Sequence, residues 1–483
     1  MPKKKLPNII LIVLDTARAK SFSCYGYHRK TTPNIDRIAE EGVLYKWCFS
    51  PANWTIPSHA SLFTGLYPSE HGCHWGNPFL DENIPTLPEL LRSVGYRTVG
   101  ISCNGLVSKL YGFHRGFDLF FELWTPDLFP DLEPLPGKTA KDKIASLFKL
   151  IPIHPNRAVK YAARAICRKF RFRGTVLTNS TPWTLRAFKS AREILRGIAS
   201  DTPLFLFVNI MQSHYRYNPP RETKGKFGSN GFRYESFLTE PYQYYLNLLK
   251  PTGSVEKMWY ILTALYDEEL FFADLCIGQF YEFLKISHLL DRSVFVVTAD
   301  HGEMLGEHGL LDHWFSSYNE LIQVPLIIRY PGAMQRSVIS DLVQTHDLFG
   351  TVCDIAGLPY PTPMGLVSLV GTQRRRWAFT QDIDPLVDVL ALRRRQPEWS
   401  SDGWWCRPHM TAVNSELRKI VKTTDGRILC FDLSQDANEL HPKVPPLVDE
   451  DLLKLITELE DTYNWSRAVK SCEEMLLNSK LGG

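Results

Sequence analysis

Residues Asn8–Leu14 (NIILIVL) form an unbroken apolar run rich in β-branched side chains, and it stops at Asp15. A short run with no polar alternation suits a strand buried on both faces. Such strands lie at the centre of parallel sheets covered by helices on each side. This one feature commits the chain to an α/β architecture and places an acid at a strand's carboxyl end. At 483 residues there is room for one large domain or two to three smaller ones, and 44% hydrophobic with 22% charged residues is ordinary globular composition.

The rest of the chain repeats the theme. Thr32 caps a helix through Glu41, closed by Gly42, and a second helix starts near Pro57 and runs to Phe63. Leu87–Val94 reads as a helix and Tyr96–Cys103 as a strand. A helix follows from Thr181-Pro182 to about Ala199, then a strand over Pro203–Ile210. Ile261–Leu284 is helical in pattern, Ser293–Thr298 and Val324–Arg329 are strands, and Asp347–Ala356 is a helix closed by Gly357. Alternating strands and helices predict a mainly parallel sheet, with ligands bound beyond the strands' carboxyl ends. After about residue 375 the pattern changes to short antiparallel strands and a last helix over Asp449–Tyr463, a small α+β lobe. The expected division is 1–375 and 376–483, with an insertion at about 105–178.

That insertion is basic. Between Lys138 and Arg173 stand eleven Lys/Arg against Asp142 alone, so +10 sits there and −7 elsewhere, given the net +3. A solvated helix explains this charge; the functional readings are contact with an acidic membrane surface or with a polyanionic substrate. Nucleic acid is not expected, because no stacking platform accompanies the charge. The ten cysteines are scattered without Cys-x-x-Cys, as for reduced core thiols. No apolar run approaches the ~20 residues of a spanning helix, and the start lacks a signal-peptide core, so a soluble, cytoplasmic protein is expected.

Three segments carry chemistry: Leu14-Asp15-Thr16, Thr55-Ile56-Pro57-Ser58-His59 and Asp300-His301-Gly302-Glu303. Taken alone, Thr55 reads as a plain helix cap, Asp15 as a turn former, and Asp300-His301-Gly302 as a loop. Together they put two carboxylates and an imidazole at one sheet edge, which suits a divalent cation, beside a hydroxyl at a helix's positive end. That combination describes a metal-activated oxygen nucleophile facing an anion.

Asn8–Asp15, Tyr25-Gly26 with Thr32–Asp36, TIPSHASLFTGLYPSEHG, TADHGEMLGEHGLLDH, YNELIQVPLIIRYPG, THDLFGTVCDIAGL and LRKIVKTTDGRILCFDLSQDANEL resemble, in order, the sulfatase family of the alkaline phosphatase superfamily. The resemblance implies that family's three-layer α/β sandwich. It implies a divalent metal on Asp15, Asp300 and His301, with the nucleophile position on Thr55, itself a ligand; no clean Asp-x-x-x-His marks a second metal site, so one ion is expected, with His214, His308 or His313 open as further ligands. His214, in NIMQSHYRYNPP, and His313 fall near the anionic group, with Thr16 and Asn104 as substrate contacts. His313 stands where typical sulfatases carry lysine, and His59 where they carry the arginine of Cys-x-Pro-x-Arg.

The departures carry chemical consequences. Formylglycine is made from a Cys or Ser whose β-carbon is primary; that of Thr55 bears a methyl, so no formylglycine is expected. Thr16 replaces an aspartate of the usual calcium site and His301 an asparagine, which favours manganese, zinc or magnesium. The pattern looks like the phosphoryl branches of the superfamily. The expected activity is hydrolysis of a phosphate-, phosphonate- or sulfate-type ester of a small molecule, glycan or lipid through a covalent Thr55 intermediate. The alternatives are transfer of a phospho-group to a glycan or lipid alcohol, or a non-catalytic binding relic.

Overall fold

The computed structural model describes residues 6–124, 182–198, 202–229, 255–313, 315–360, 365–385, 403–443, 453, 454, 456 and 457. The basic segment 138–173 and all but four residues of the expected last helix lie outside them.

Ten strands open the chain: β1 (Asn8–Leu14), β2 (Val43–Phe49), β3 (Arg97–Ser102), β4 (Leu119–Glu122), β5 (Leu204–Ile210), β6 (Ser293–Ala299), β7 (Met304–Leu305), β8 (Leu311–Asp312), β9 (Gln323–Arg329) and β10 (Ser337–Gln344). Eight of them build the central sheet in the order β10-β2-β9-β6-β1-β5-β3-β4, and β7 and β8 form a separate hairpin. All seven residues of β1 are buried, as are those of β5 and β6 on either side of it. The run that opens the sequence is therefore the sheet's centre. Only β9 runs against its neighbours, pairing antiparallel with both β6 and β2. The run Val324–Arg329 announces a strand, but a strand buried on both faces reads the same in either direction.

Helices cover the sheet in two layers. In one, α1 (Pro33–Glu41) and Trp183–Gly197 both pack on the long helix Val255–Ile286. In the other, α2 (Thr55–Thr64), Leu87–Ser93 and Asp347–Ala356 pack together. Three helix starts differ from the sequence reading. The second helix begins at Thr55 rather than Pro57, the helix expected from Thr181 begins at Trp183, and the long helix starts at Val255, ahead of Ile261. Gly42, after α1, has extended backbone, and a side chain there would run into the carbonyl oxygen of Ile328 at 2.5 Å, so β9 can lie close only beside glycine.

A second sheet, β11 (Trp377–Asp382), β12 (His409–Asn414), β13 (Arg418–Thr423) and β14 (Ile428–Asp432), is antiparallel throughout. It is docked on the first by polar contacts as well as apolar ones. Gln344, at the end of β10, exchanges hydrogen bonds with the Phe379 backbone, and Thr380 Oγ1 donates to Ser50 O at 2.7 Å.

Candidate active site and metal centre

The register of β1 on β6 sets Leu14 beside Ala299, so the next residues, Asp15 and Asp300, leave the sheet as neighbours. The Asp15 N–H donates to Ile210 O at 2.9 Å, and Ser213 Oγ donates to Asp15 O at 2.7 Å, which fixes the turn after β1. Asn104, two residues past β3, donates from Nδ2 to Asp15 Oδ2 at 2.5 Å. Thr55 is the first residue of α2, after Trp54 at the N-cap. Its hydroxyl does not cap the helix: Oγ1 lies 3.4 Å from His301 Nε2 and 3.4 Å from Asn104 Nδ2. Four carboxyl ends of the sheet thus converge on one buried point, where a doubly wound fold binds its ligands.

At that point His301 Nε2 is 3.4 Å from Asp300 Oδ2 and 3.9 Å from Asp15 Oδ1. Neither of these carboxylate oxygens accepts a hydrogen bond, although both are buried. Buried polar atoms are rarely left unpartnered, and two orphaned carboxylate oxygens turned on one imidazole are a set of groups that can hold a cation. Burial, and then the neighbouring charge of Asp15, raises the Asp300 carboxyl well above the usual carboxylate range. Burial, reinforced by His313, holds His301 neutral, the form in which imidazole binds metal. The residues present therefore fit the divalent ion their types suggest.

The other histidines have distinct surroundings. His59, one turn along α2 from Thr55, is fully buried; burial lowers its pKa to about 4. Its Nδ1 lies 3.0 Å from Thr55 O and 3.4 Å from Asp300 Oδ2, so it abuts the acidic pair beside Thr55. His313 Nδ1 sits 2.8 Å from Asp312 Oδ1 and 3.2 Å from Glu303 Oε1. Burial opposes its charge, but the two carboxylates outweigh that and raise its pKa well above the ordinary value. Its ring centroid is 4.6 Å from that of His301 and 5.0 Å from that of His214. His214 Nδ1 lies 2.5 Å from Tyr215 O. Beside the start of α2, Trp54 stacks on Trp75 with centroids 4.6 Å apart, and Trp75 is 41% exposed.

Comparison with known proteins gives this geometry its relatives. Residues 7–358 match the Sulfatase family model. The chain belongs to the sulfatase family. It is 28% identical over 402 residues to N-acetylglucosamine-6-O-sulfatase of Bacteroides thetaiotaomicron, covering 76% of this chain and 70% of that one. Among solved structures, BT4656 in complex with its substrate D-glucosamine-2-N,6-O-disulfate superposes with a TM-score of 0.67 at 19% identity, over 95% and 98% of the two chains. Phosphonate monoester hydrolase of Agrobacterium radiobacter superposes at 0.64 with 20% identity, over 95% of each. The fold is that of this family, and the chain is a sulfatase-family hydrolase.

In this sulfatase-family chain the structure brings Asp15, Thr55, Asn104, Asp300 and His301 together, with His59, His214 and His313 around them. Thr16 is differently employed. Its hydroxyl donates to Asp15 O at 2.7 Å and its N–H to Asp300 Oδ1 at 3.3 Å, so it supports the acidic pair. Its φ of +60° is unusual for a β-branched residue, and Tyr266, donating to Thr16 O at 2.9 Å, helps hold it. Asn104 likewise spends its amide on Asp15 and its Oδ1 on Leu106 N at 2.8 Å. His71 is structural, bonded at 3.0 Å to Ser61 Oγ and to Cys73 N. Sequence reasoning missed Asp312, and it missed Glu303 as the partner of His313. The signal was present in TADHGEMLGEHGLLDH, where a glycine-rich turn folds one end back on the other. No helix among the described residues is long and apolar enough to cross a membrane.

Proposed function

We propose that this chain is a metal-dependent hydrolase of a phosphate-, phosphonate- or sulfate-type ester, acting through a covalent Thr55 intermediate. One observation carries the reading: the Thr55 hydroxyl, at the positive end of α2, shares a buried point with two unpartnered carboxylate oxygens and a neutral imidazole. Asp15, Asp300, His301 and Thr55 would hold one divalent ion, manganese, zinc or magnesium before calcium. When bound, it supplies Lewis acidity toward the ester oxygen and lowers the pKa of the hydroxyl.

Thr55 Oγ1 gives up its proton to water and forms a bond to the phosphorus or sulfur as the bond to the organic oxygen breaks. His214 or His313 donates a proton to that departing oxygen. Water then attacks the Thr55 ester, freeing the acid and restoring the hydroxyl. The positive end of α2 stabilises the anion throughout. The secondary β-carbon of Thr55 excludes formylglycine, which favours phosphorus over sulfur as the attacked atom. The exposed face of Trp75 offers an apolar platform for a sugar ring in the organic part of the substrate.

The test is a set of matched nitrophenyl esters (sulfate, phosphate monoester, phosphodiester and phosphonate) assayed with manganese for the wild type and Thr55→Ala. The expected result is turnover of a phosphorus ester that falls by at least ~10³-fold in Thr55→Ala. Undiminished turnover in Thr55→Ala would overturn the nucleophile, and Thr55-dependent turnover of sulfate alone would overturn the preference for phosphorus.

A further inference from the structure

We propose that Glu303, Asp312 and His313 form a second divalent-cation site beside the Asp15–Asp300–His301 centre. The inference goes beyond the proposed reaction and does not require Thr55 to be the nucleophile.

The site is built by a hairpin. β7 and β8 pair with Met304 opposite Asp312 and Leu305 opposite Leu311, so the next pair outward is Glu303 opposite His313. Gly302 makes this possible. A Cβ at that position would overlap the carbonyl oxygen of Glu320, and Gly302 and Glu303 both donate backbone N–H groups to Leu321 and Glu320. The close approach fixes the backbone of Glu303 two residues past His301. One ligand atom from each of Glu303, Asp312 and His313 falls within 4.8 Å of the others.

One further observation separates this from an ordinary ion pair. Glu303 is fully buried, its Oε1 faces His313, and its Oε2 has no hydrogen-bond partner. An imidazolium between two ionised carboxylates would leave one negative charge uncompensated in a buried site. A divalent cation with two carboxylates and neutral imidazole sums to zero and uses the orphaned oxygen. Binding is a balanced exchange in which the cation enters and any proton on His313 leaves to solvent. Two oxygen donors and one nitrogen suit zinc or manganese, and three protein ligands leave positions open to an anionic oxygen. His313 then becomes a ligand and His214 keeps the role of proton donor. Two neighbouring cations favour an ester bearing two negative charges over one bearing a single charge.

The experiment counts metal. Full-length protein is stripped with chelator, reloaded with zinc or with manganese, desalted, and measured by inductively coupled plasma mass spectrometry. Two ions per chain are expected for the wild type, one each for Asp15→Asn and Glu303→Gln, and none for the double variant. One ion in the wild type that survives Glu303→Gln would overturn the second site and leave His313 a histidine held between two acids. No ion at all would overturn both sites. If thermal melting shows Glu303→Gln unfolded, His313→Asn, altering a side chain 12% exposed, repeats the count. The two readings fail separately. Two ions with a fully active Thr55→Ala would sink the nucleophile alone, and one ion with Thr55-dependent turnover would sink the second site alone.

Discussion

Asn104 shows how single residues tune this centre. Its amide hydrogen holds Asp15 Oδ2 while its own oxygen is tied to Leu106 N, so the Asp15 carboxylate has one orientation, with Oδ1 left free. Partners behind a ligand usually set metal affinity by about 10–100-fold. Asn104→Ala is therefore expected to weaken manganese or zinc binding by about that factor, read by competitive titration against a chelating dye. Unchanged affinity would show that the β1 turn alone orients Asp15. At this scale the sequence was informative where chemistry is local. Asp15 and Asp300-His301 end obvious strands, and the methyl of Thr55 speaks for itself. Thr55 as a cap was the natural reading of a threonine ahead of Pro57. It fails because Trp54 takes the N-cap position, which turns the hydroxyl toward His301. The roles of Thr16 and Asn104 as supports were not legible, since hydrogen-bond partners some 90 to 280 positions away leave no local pattern.

Elements place these residues, and some elements are themselves held by buried acids. Residues 211–229, which carry His214, are tied to the long helix Val255–Ile286 through Glu268 and Glu269. Glu269 accepts from the Asn218 N–H at 2.6 Å and from Gln212, and Glu268 accepts from Ser229 Oγ at 2.5 Å. Burial, only partly offset by those hydrogen bonds, raises Glu269 from its ordinary 4.5 to about 8. Between those pH values the folded chain holds a proton that the unfolded chain has released, so this group's contribution to stability falls as pH rises through the window. The melting temperature of Glu269→Gln is expected to decline less than that of the wild type between pH 5 and 8. Parallel slopes would show that the acid ionises at its ordinary value. Strand existence was plain in β1, β5 and β6, where every residue is apolar or buried. β2 and β10 were not read as strands, because Lys46 is exposed in one and five residues of the other are exposed or half-buried. β10 is the sheet's edge and β2 lies next to it, and strands away from the centre do not show the unbroken apolar run of a central one.

At the scale of the whole molecule, the second sheet reaches back to the site through one buried lysine. Lys419 on β13 pairs with Glu439 Oε1 at 2.6 Å and donates to Ser317 O at 2.6 Å and Asn319 Oδ1 at 3.1 Å. Both charged side chains are fully buried. Residues 317–321 in turn receive the backbone hydrogen bonds of Gly302 and Glu303, so the C-terminal sheet braces the loop after Asp300. Removing one partner of a buried pair costs about 3–5 kcal/mol, whereas replacing both with apolar groups costs far less. Lys419→Met is expected to lower stability by about that amount in urea unfolding, and Lys419→Met with Glu439→Leu to recover most of it. A single variant within about 1 kcal/mol of wild type would show that the lobes are held by their apolar contacts alone. The lobe was visible in the sequence as a change of pattern. Its brace was not, because Lys419 sits in a polar stretch and nothing local marks it as interior.

The γ-methyl of Thr55 also bears on how the protein comes to be active. A formylglycine must be installed by a separate oxidising enzyme after translation, so its bearer is inert until matured and depends on its host. A threonine is encoded in the gene and complete when the chain folds. On the proposed reading, protein made in a purified cell-free translation system, without oxygen and with only a divalent salt added, is expected to match the specific activity of protein made in cells. An inert cell-free product that still binds metal would reveal a maturation step acting elsewhere on the chain.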